Sequence, residues 1–239
     1  MISSIEQSPQ RCARIAGVLY LAIIALGIYG EAFVRGALVV AGDPTATANA
    51  IAASESLWRA GIVGDLLMHA LDLPLIVLLY LLLRPVSDAL ALLATFLNLI
   101  QTAVLAANKL NLLAPVLLLG NGSVAGALTP DQLHALSYLA IEAHGYGFGV
   151  GLIFFGFACL VRGYLIFKSG YFPGILGLLT VLAGLSYLVN SLALLLAPSL
   201  ASALFPAVLV PAFVGELIFA LWLVFKGVNI ERWSARNKA

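Results

Sequence analysis

Six runs of this chain are each long and apolar enough to cross a bilayer, and almost nothing is left over to build anything else. A helix needs about 20 mostly apolar residues to span the hydrocarbon layer. Residues 15–38, 57–82, 89–118, 134–162, 173–196 and 207–227 each supply such a run. In lipid, backbone polar groups must be bonded within the segment, so each run is predicted to be a helix. With 62% hydrophobic and only 10% charged residues, the chain lies far from the composition of a soluble domain. The fold class expected is all-α, an integral membrane bundle of six transmembrane helices joined by short loops. In domain terms that is a short tail over 1–10, a six-span membrane domain over 11–228 and a basic tail over 229–239.

Charge placement sets the expected orientation. With both termini cytoplasmic, the inner side receives Arg11, Arg14, Arg84, Arg162, Lys168, Lys226, Arg232, Arg236 and Lys238, nine of the twelve basic residues. "IAGVLYLAIIALGIYG" after Arg14 is too long for a signal-peptide core and lacks a small-residue cleavage site, so it reads as an uncleaved first span. The expected location is the bacterial plasma membrane. Net charge of +1 gives no basic field for nucleic acid. "TPDQ" at 129–132 matches a capping box and predicts that the fourth helix starts there. Trp58 and Tyr138 fall where an outer aromatic belt is expected, with Trp233 just past the inner end.

Ionisable groups inside apolar spans are the informative residues, because each costs roughly 2.5–3.5 kcal/mol near a helix centre. "GDLLMHALDLP" carries Asp65, His69 and Asp72 at i, i+4 and i+7, one face of the second helix. Asn98, Gln101, Asn108 and Asn111 make a matching stripe on the third. Two such stripes are expected to turn inward. Counted from the outer end, Glu31, Arg35, Arg59, Asp65, Lys109, Glu142, His144 and Asn190 lie in the outer half. His69, Asp72, Gln101 and Glu216 approach the middle, and Asn98 is the main exception in a nearly apolar inner half. The pattern describes a polar cavity open to the extracytoplasmic side with an apolar floor.

Within that cavity, Arg35 and Arg59 offer guanidinium forks to an anionic group. Each also has a glutamate four residues back, Glu31 and Glu55, able to neutralise it on the helix surface. Asp65 lacks a local partner and is left to Arg35, Arg59 or Lys109 from across the bundle. His69 and Asp72 are spaced to bond each other. Asp65 and Glu216 are candidate proton or cation carriers. Gln101, Asn108 and Asn190 are candidate neutral partners. Glu142 and His144, two apart, point to opposite faces of a regular helix. "HGYGFGVG" at 144–151 fits either close packing through its glycines or an unwound turn facing a cavity. The spacing of His, Cys and acidic residues gives no metal motif, no phosphate loop and no nucleophile elbow, so neither metal nor cofactor is expected.

"RIAGVLYLAIIALGIYGEAFVRGALVVAGD", "ESLWRAGIVGDLL", "YLLLRPV", "EAHGYGFGVGLIFFG", "GYLIFKSGYFPGILGLL" and "GELIFALWLVFKGV" together resemble a family of bacterial multi-pass membrane proteins catalogued as domain of unknown function 4386, over residues 11–228. The family's pattern falls on Glu31, Arg35, Arg59, Asp65, Arg84, Glu142, His144 and Glu216. His69 does not clearly belong to it, which shifts weight from the Asp65–His69–Asp72 trio to the Glu/Arg/Asp set. The resemblance implies no activity. Three readings therefore stand at this stage. One is binding or transport of a small polar or anionic solute or a lipid head group, where a complete carrier of this size would be a homodimer. The others are an intramembrane enzyme on a lipid or quinone-like substrate, with Glu142, His144 and Asp65 as acid–base groups, and an accessory subunit whose polar groups only join helices.

Overall fold

Helices account for nearly all of the chain, and their bounds follow local chemistry. The computed structural model describes residues 8–120 and 126–238. Six helices are long and apolar enough to cross a membrane: α1 (Pro9–Leu38), α3 (Glu55–Leu83), α4 (Asp88–Leu119), α5 (Pro130–Ser169), α6 (Gly174–Leu196) and α8 (Ala207–Phe225). Shorter helices are α2 (Pro44–Ala53), α7 (Pro198–Leu204) and α9 (Ile230–Asn237). Among the described residues there is no strand. The start of α2 is set by Asp43, whose side chain accepts from the Ala46 amide at 2.8 Å, with Pro44 at the first helical position. The capping box at α5 forms: the Thr129 amide donates to Gln132 Oε1 at 2.9 Å, and the Gln132 amide donates back to Thr129 Oγ1 at 3.4 Å.

Two departures from regularity matter. In α1, Tyr29–Arg35 forms a π-helical stretch, and the Gly36 amide donates to the Glu31 carbonyl five residues back. Such widened turns re-aim side chains and are frequent at functional sites. In α5, by contrast, the helix stays regular through "HGYGFGVG", so the unwound turn does not occur. A Cβ on Gly147 would run into the Asn108 amide, whereas one on Gly145 would meet open space.

The chain divides into two compact units. One comprises Ile24–Ala70 and Val104–Phe148. Its core is Val34, Leu38, Ile51, Trp58, Ile62, Leu112 and Val116. Trp58, expected in an interfacial belt, is instead 1% exposed, and its indole N–H donates to the Leu112 carbonyl at 2.8 Å. Tyr138 receives the Gly42 amide at 2.7 Å, closing the turn before α2.

The other unit comprises the described residues up to Ile23, Leu71–Ala103 and the described residues from Gly149 onward. Here α5 and α6 meet backbone to backbone. A Cβ on Gly163 would stand 2.7 Å from the Gly177 carbonyl, and one on Gly184 would stand 2.7 Å from the Gly156 carbonyl. Gly156 and Gly163 are seven residues apart, as are Gly177 and Gly184, so two turns of each helix present small residues to the other. Tyr20 and Phe172 each pack edge to face on Phe219, with ring centroids 6.4 and 6.0 Å apart. Within the basic segment, α9 is started by the Asn229 side chain accepting from the Arg232 amide at 3.0 Å.

The distribution of exposure departs from a soluble protein's. Phe33, Val63, Leu110 and Leu117 are 64–69% exposed, while Asp65, Lys109 and Arg162 are at most 4% exposed. Apolar faces turned outward and charges turned inward are stable only where the solvent is hydrocarbon. This is a multi-pass membrane protein.

Candidate functional site

In the first unit, three helices deliver charge to one point. The π-helical stretch of α1 carries Glu31 and Arg35, α3 carries Asp65, and α4 carries Lys109. Asp65 has no exposed surface; its Oδ2 accepts from Arg35 Nη1 at 2.7 Å and lies 2.9 Å from Lys109 Nζ. Arg35 spends its other edge on Glu31, with Nε to Oε2 at 2.8 Å. Its guanidinium therefore bridges a buried carboxylate and one whose side chain is 70% exposed. Gly30 is what lets α1 approach: a Cβ there would overlap the Asp65 carboxyl and stand 3.1 Å from Arg35 Nη2.

Three buried polar atoms of this unit have no hydrogen-bond partner: Asp65 Oδ1, His69 Nε2 and Ser137 Oγ. An unpaired buried polar atom costs free energy. His144, 6% exposed, is held by Asn108, whose Nδ2 lies 3.0 Å from His144 Nδ1 and 2.8 Å from the His144 carbonyl. Asn111 donates to Asn108 Oδ1 at 2.9 Å and orients the amide. Glu142 faces away from this network and is exposed, so the structure does not join it to His144. Arg59 also stands apart: it pairs with Glu55 at 2.6 Å, with half of each side chain in the open.

The second unit holds its own polar cluster. Asp72 Oδ2 accepts from Asn98 Nδ2 at 3.0 Å and from the Thr102 hydroxyl. Asn98 Nδ2 also reaches Gln101 Oε1 at 2.8 Å, and Asn98 Oδ1 accepts from Arg162. Asp72 thus takes its bonds from α4 rather than from His69. Glu216 accepts from the Tyr187 hydroxyl at 2.8 Å; Tyr187 stacks on Phe155 at 5.3 Å, and Arg162 lies over the same Phe155 ring at 6.0 Å. Asn190 is half-buried.

Arg162 corrects the expected apolar inner half. Counted from sequence as a flanking charge, it is 4% exposed, because α5 continues to Ser169 and puts it a full two turns inside the helix. Thr102 and Tyr187 also carry polar contacts that the spacing argument missed. Thr102 shares the Asn98–Gln101 stripe and was identifiable on that ground. Tyr187 offered no signal, since a tyrosine in an apolar run reads as core. Among the described residues no group of three His, Cys, Asp or Glu side chains is placed to hold a metal ion.

The family model described as "Domain of unknown function (DUF4386)" matches residues 15–227. An uncharacterised protein of Archaeoglobus fulgidus is 30% identical over 171 residues, 71% of this chain and 85% of that protein. No solved structure matches.

Proposed function

This chain belongs to the DUF4386 family, and from that premise we propose that it binds a small anionic group, on a solute or a lipid head group, at the Arg35–Asp65–Lys109 cluster, entered from the extracytoplasmic side. In its fuller form the reading has the protein carry that group across the bilayer. The observation that supports it is the charge count. Two cations converge on one oxygen of one carboxylate, so the buried set carries a formal excess of one positive charge. Burying a net charge is costly, and an anion in reach relieves it.

Glu31 provides that relief in the free protein, and it does so from the exposed rim. A surface pair of this kind contributes little, within about 1 kcal/mol. A ligand carboxylate or phosphate would take the place of the Glu31 carboxylate at the Arg35 Nε edge. Planar bidentate recognition suits arginine, and Lys109 supplies a point charge behind it. Asp65 keeps both cations aimed.

The test is binding of inorganic phosphate and of succinate to purified protein, read as a shift in melting temperature. Glu31→Gln clears the competing carboxylate and is expected to tighten binding by about tenfold, while Arg35→Gln abolishes it. If neither anion shifts the melting of the unmodified protein or of Glu31→Gln, the cluster only joins helices and the reading fails.

A further inference from the structure

A separate groove of about 390 Å³ lies in the second unit, where the turn between α5 and α6 meets the end of α8. Its walls include Tyr171, Phe172, Trp222, Lys226, Asn229 and Arg232. The geometry points to a site for the phosphodiester head group of an anionic membrane lipid.

Charge supports this choice of occupant. Lys226 and Arg232 both line the groove and are exposed, and no carboxylate is among the lining residues. Arg232 is held in place by one donor, Nη1, bonded to the Gly170 carbonyl at 3.1 Å, which leaves the rest of its fork unspent. Position supports it too. The groove sits at the ends of three membrane-spanning helices, α5, α6 and α8, which is the depth of lipid head groups. Trp222 has the amphipathic ring that favours this layer; its N–H is bonded to the Gly227 carbonyl at 3.0 Å, so the indole is fixed.

The groove is preformed. Gly227 has φ +65°, a left-handed conformation suited to glycine, and the Gln10 side chain clasps the resulting turn. Gln10 Nε2 donates to the Lys226 carbonyl at 2.9 Å, and Gln10 Oε1 accepts from the Val228 amide at 3.0 Å. The Asn229 amide donates to the Tyr171 carbonyl at 3.2 Å and closes the far wall. The turn that carries Lys226 and the fork of Arg232 are therefore fixed without a ligand, and binding requires ordering of the Lys226 side chain alone. Basic pockets at this level of a membrane protein attract anionic lipid at about 1 kcal/mol per charge.

The experiment exchanges detergent-purified protein into mixed micelles of equal phosphatidylglycerol and phosphatidylcholine and counts retained lipid by native mass spectrometry. Phosphatidylglycerol is expected to be retained preferentially. Lys226→Gln with Arg232→Gln should lower that preference roughly 30-fold, the product of two such charges. Lys226→Arg with Arg232→Lys should keep it. Equal retention of the two lipids, or an undiminished preference in the charge-removing variant, overturns the inference. Displacement of the lipid by millimolar inorganic phosphate would assign the groove to a free anion and overturn it as well.

Discussion

Lys109 Nζ stands 2.9 Å from Asp65 Oδ2, the same oxygen that Arg35 reaches, and Asp65 has no solvent-exposed surface. The relationship makes the three side chains one unit energetically. Removing one partner of a buried pair leaves an uncompensated charge and costs about 3–5 kcal/mol. Asp65→Asn strands two cations, whereas Lys109→Met leaves Asp65 paired with Arg35. Thermal unfolding in detergent is expected to rank Asp65→Asn as the more damaging, with the double variant recovering part of the loss. An Asp65→Asn protein that melts like the unmodified one would show the cluster to be solvated.

Gly30 tests the approach of α1 to α3. Alanine there places its Cβ on the Asp65 carboxyl, while alanine at Gly64 finds its nearest neighbour, the edge of the Tyr29 ring, at a comfortable 3.5 Å. Forcing a methyl into a packed site typically costs about 1–3 kcal/mol. Gly30→Ala should lower the melting temperature and weaken anion binding together; Gly64→Ala should do neither. Equal behaviour of the two variants would mean that α1 yields easily at the π-helical stretch.

The number and limits of the spans were legible because hydrocarbon imposes a length and a composition on any helix that crosses it. The six helices accordingly coincide with the apolar runs within a few residues at most ends; the largest difference is at the fourth, where apolarity alone hid how far α5 extends. That extension is why Arg162 read as a flanking charge although it bonds Asn98 inside the protein. Helical spacing put Asp65, His69 and Asp72 on one face, and the structure gives them unlike surroundings. Asp65 meets two cations, Asp72 meets two neutral donors, and His69 Nε2 meets none. Spacing reports the face of one helix; which partner meets it depends on the neighbouring helices, and no periodicity encodes that. The glycine seam of α5 and α6 was hidden for the same reason, since seven-residue spacing on each helix gains meaning only when the two are antiparallel neighbours.

Glu142 and Arg59 supply the contrasting prediction. Both lie on exposed surface, Glu142 away from His144 and Arg59 paired only with Glu55. Substitutions at such positions generally stay within about 0.5 kcal/mol. Glu142→Gln and Arg59→Gln should therefore fold and melt normally. Asn108→Leu, which removes both bonds to His144, should cost on the order of 0.6–1.7 kcal/mol. Chemical denaturation in detergent ranks the three. A strongly destabilised Glu142→Gln would mean that this surface is covered in the assembled protein.

The carbonyl of Leu82, in the last turn of α3, accepts two bonds from distant parts of the second unit. The Tyr171 hydroxyl reaches it at 2.7 Å and the Trp233 indole N–H at 3.2 Å. Carbonyls in a helix's last turn lack an internal donor, and here two side chains supply it. Either donor alone satisfies the group, so Tyr171→Phe and Trp233→Phe should each cost only about 0.5–1.5 kcal/mol. The double variant orphans a buried carbonyl and should cost more than the sum of the two, a non-additivity that a double-mutant cycle measures directly. Burial also pushes the Tyr171 phenol well above its ordinary range, and it lies in the turn between α5 and α6. A raised phenol contributes its full stability below about pH 10, where the unfolded chain keeps its proton too. As pH climbs above that, the unfolded phenol ionises first and the folded protein loses stability. Tyr171→Phe should flatten this alkaline decline, and an identical decline in both proteins would assign it to another group.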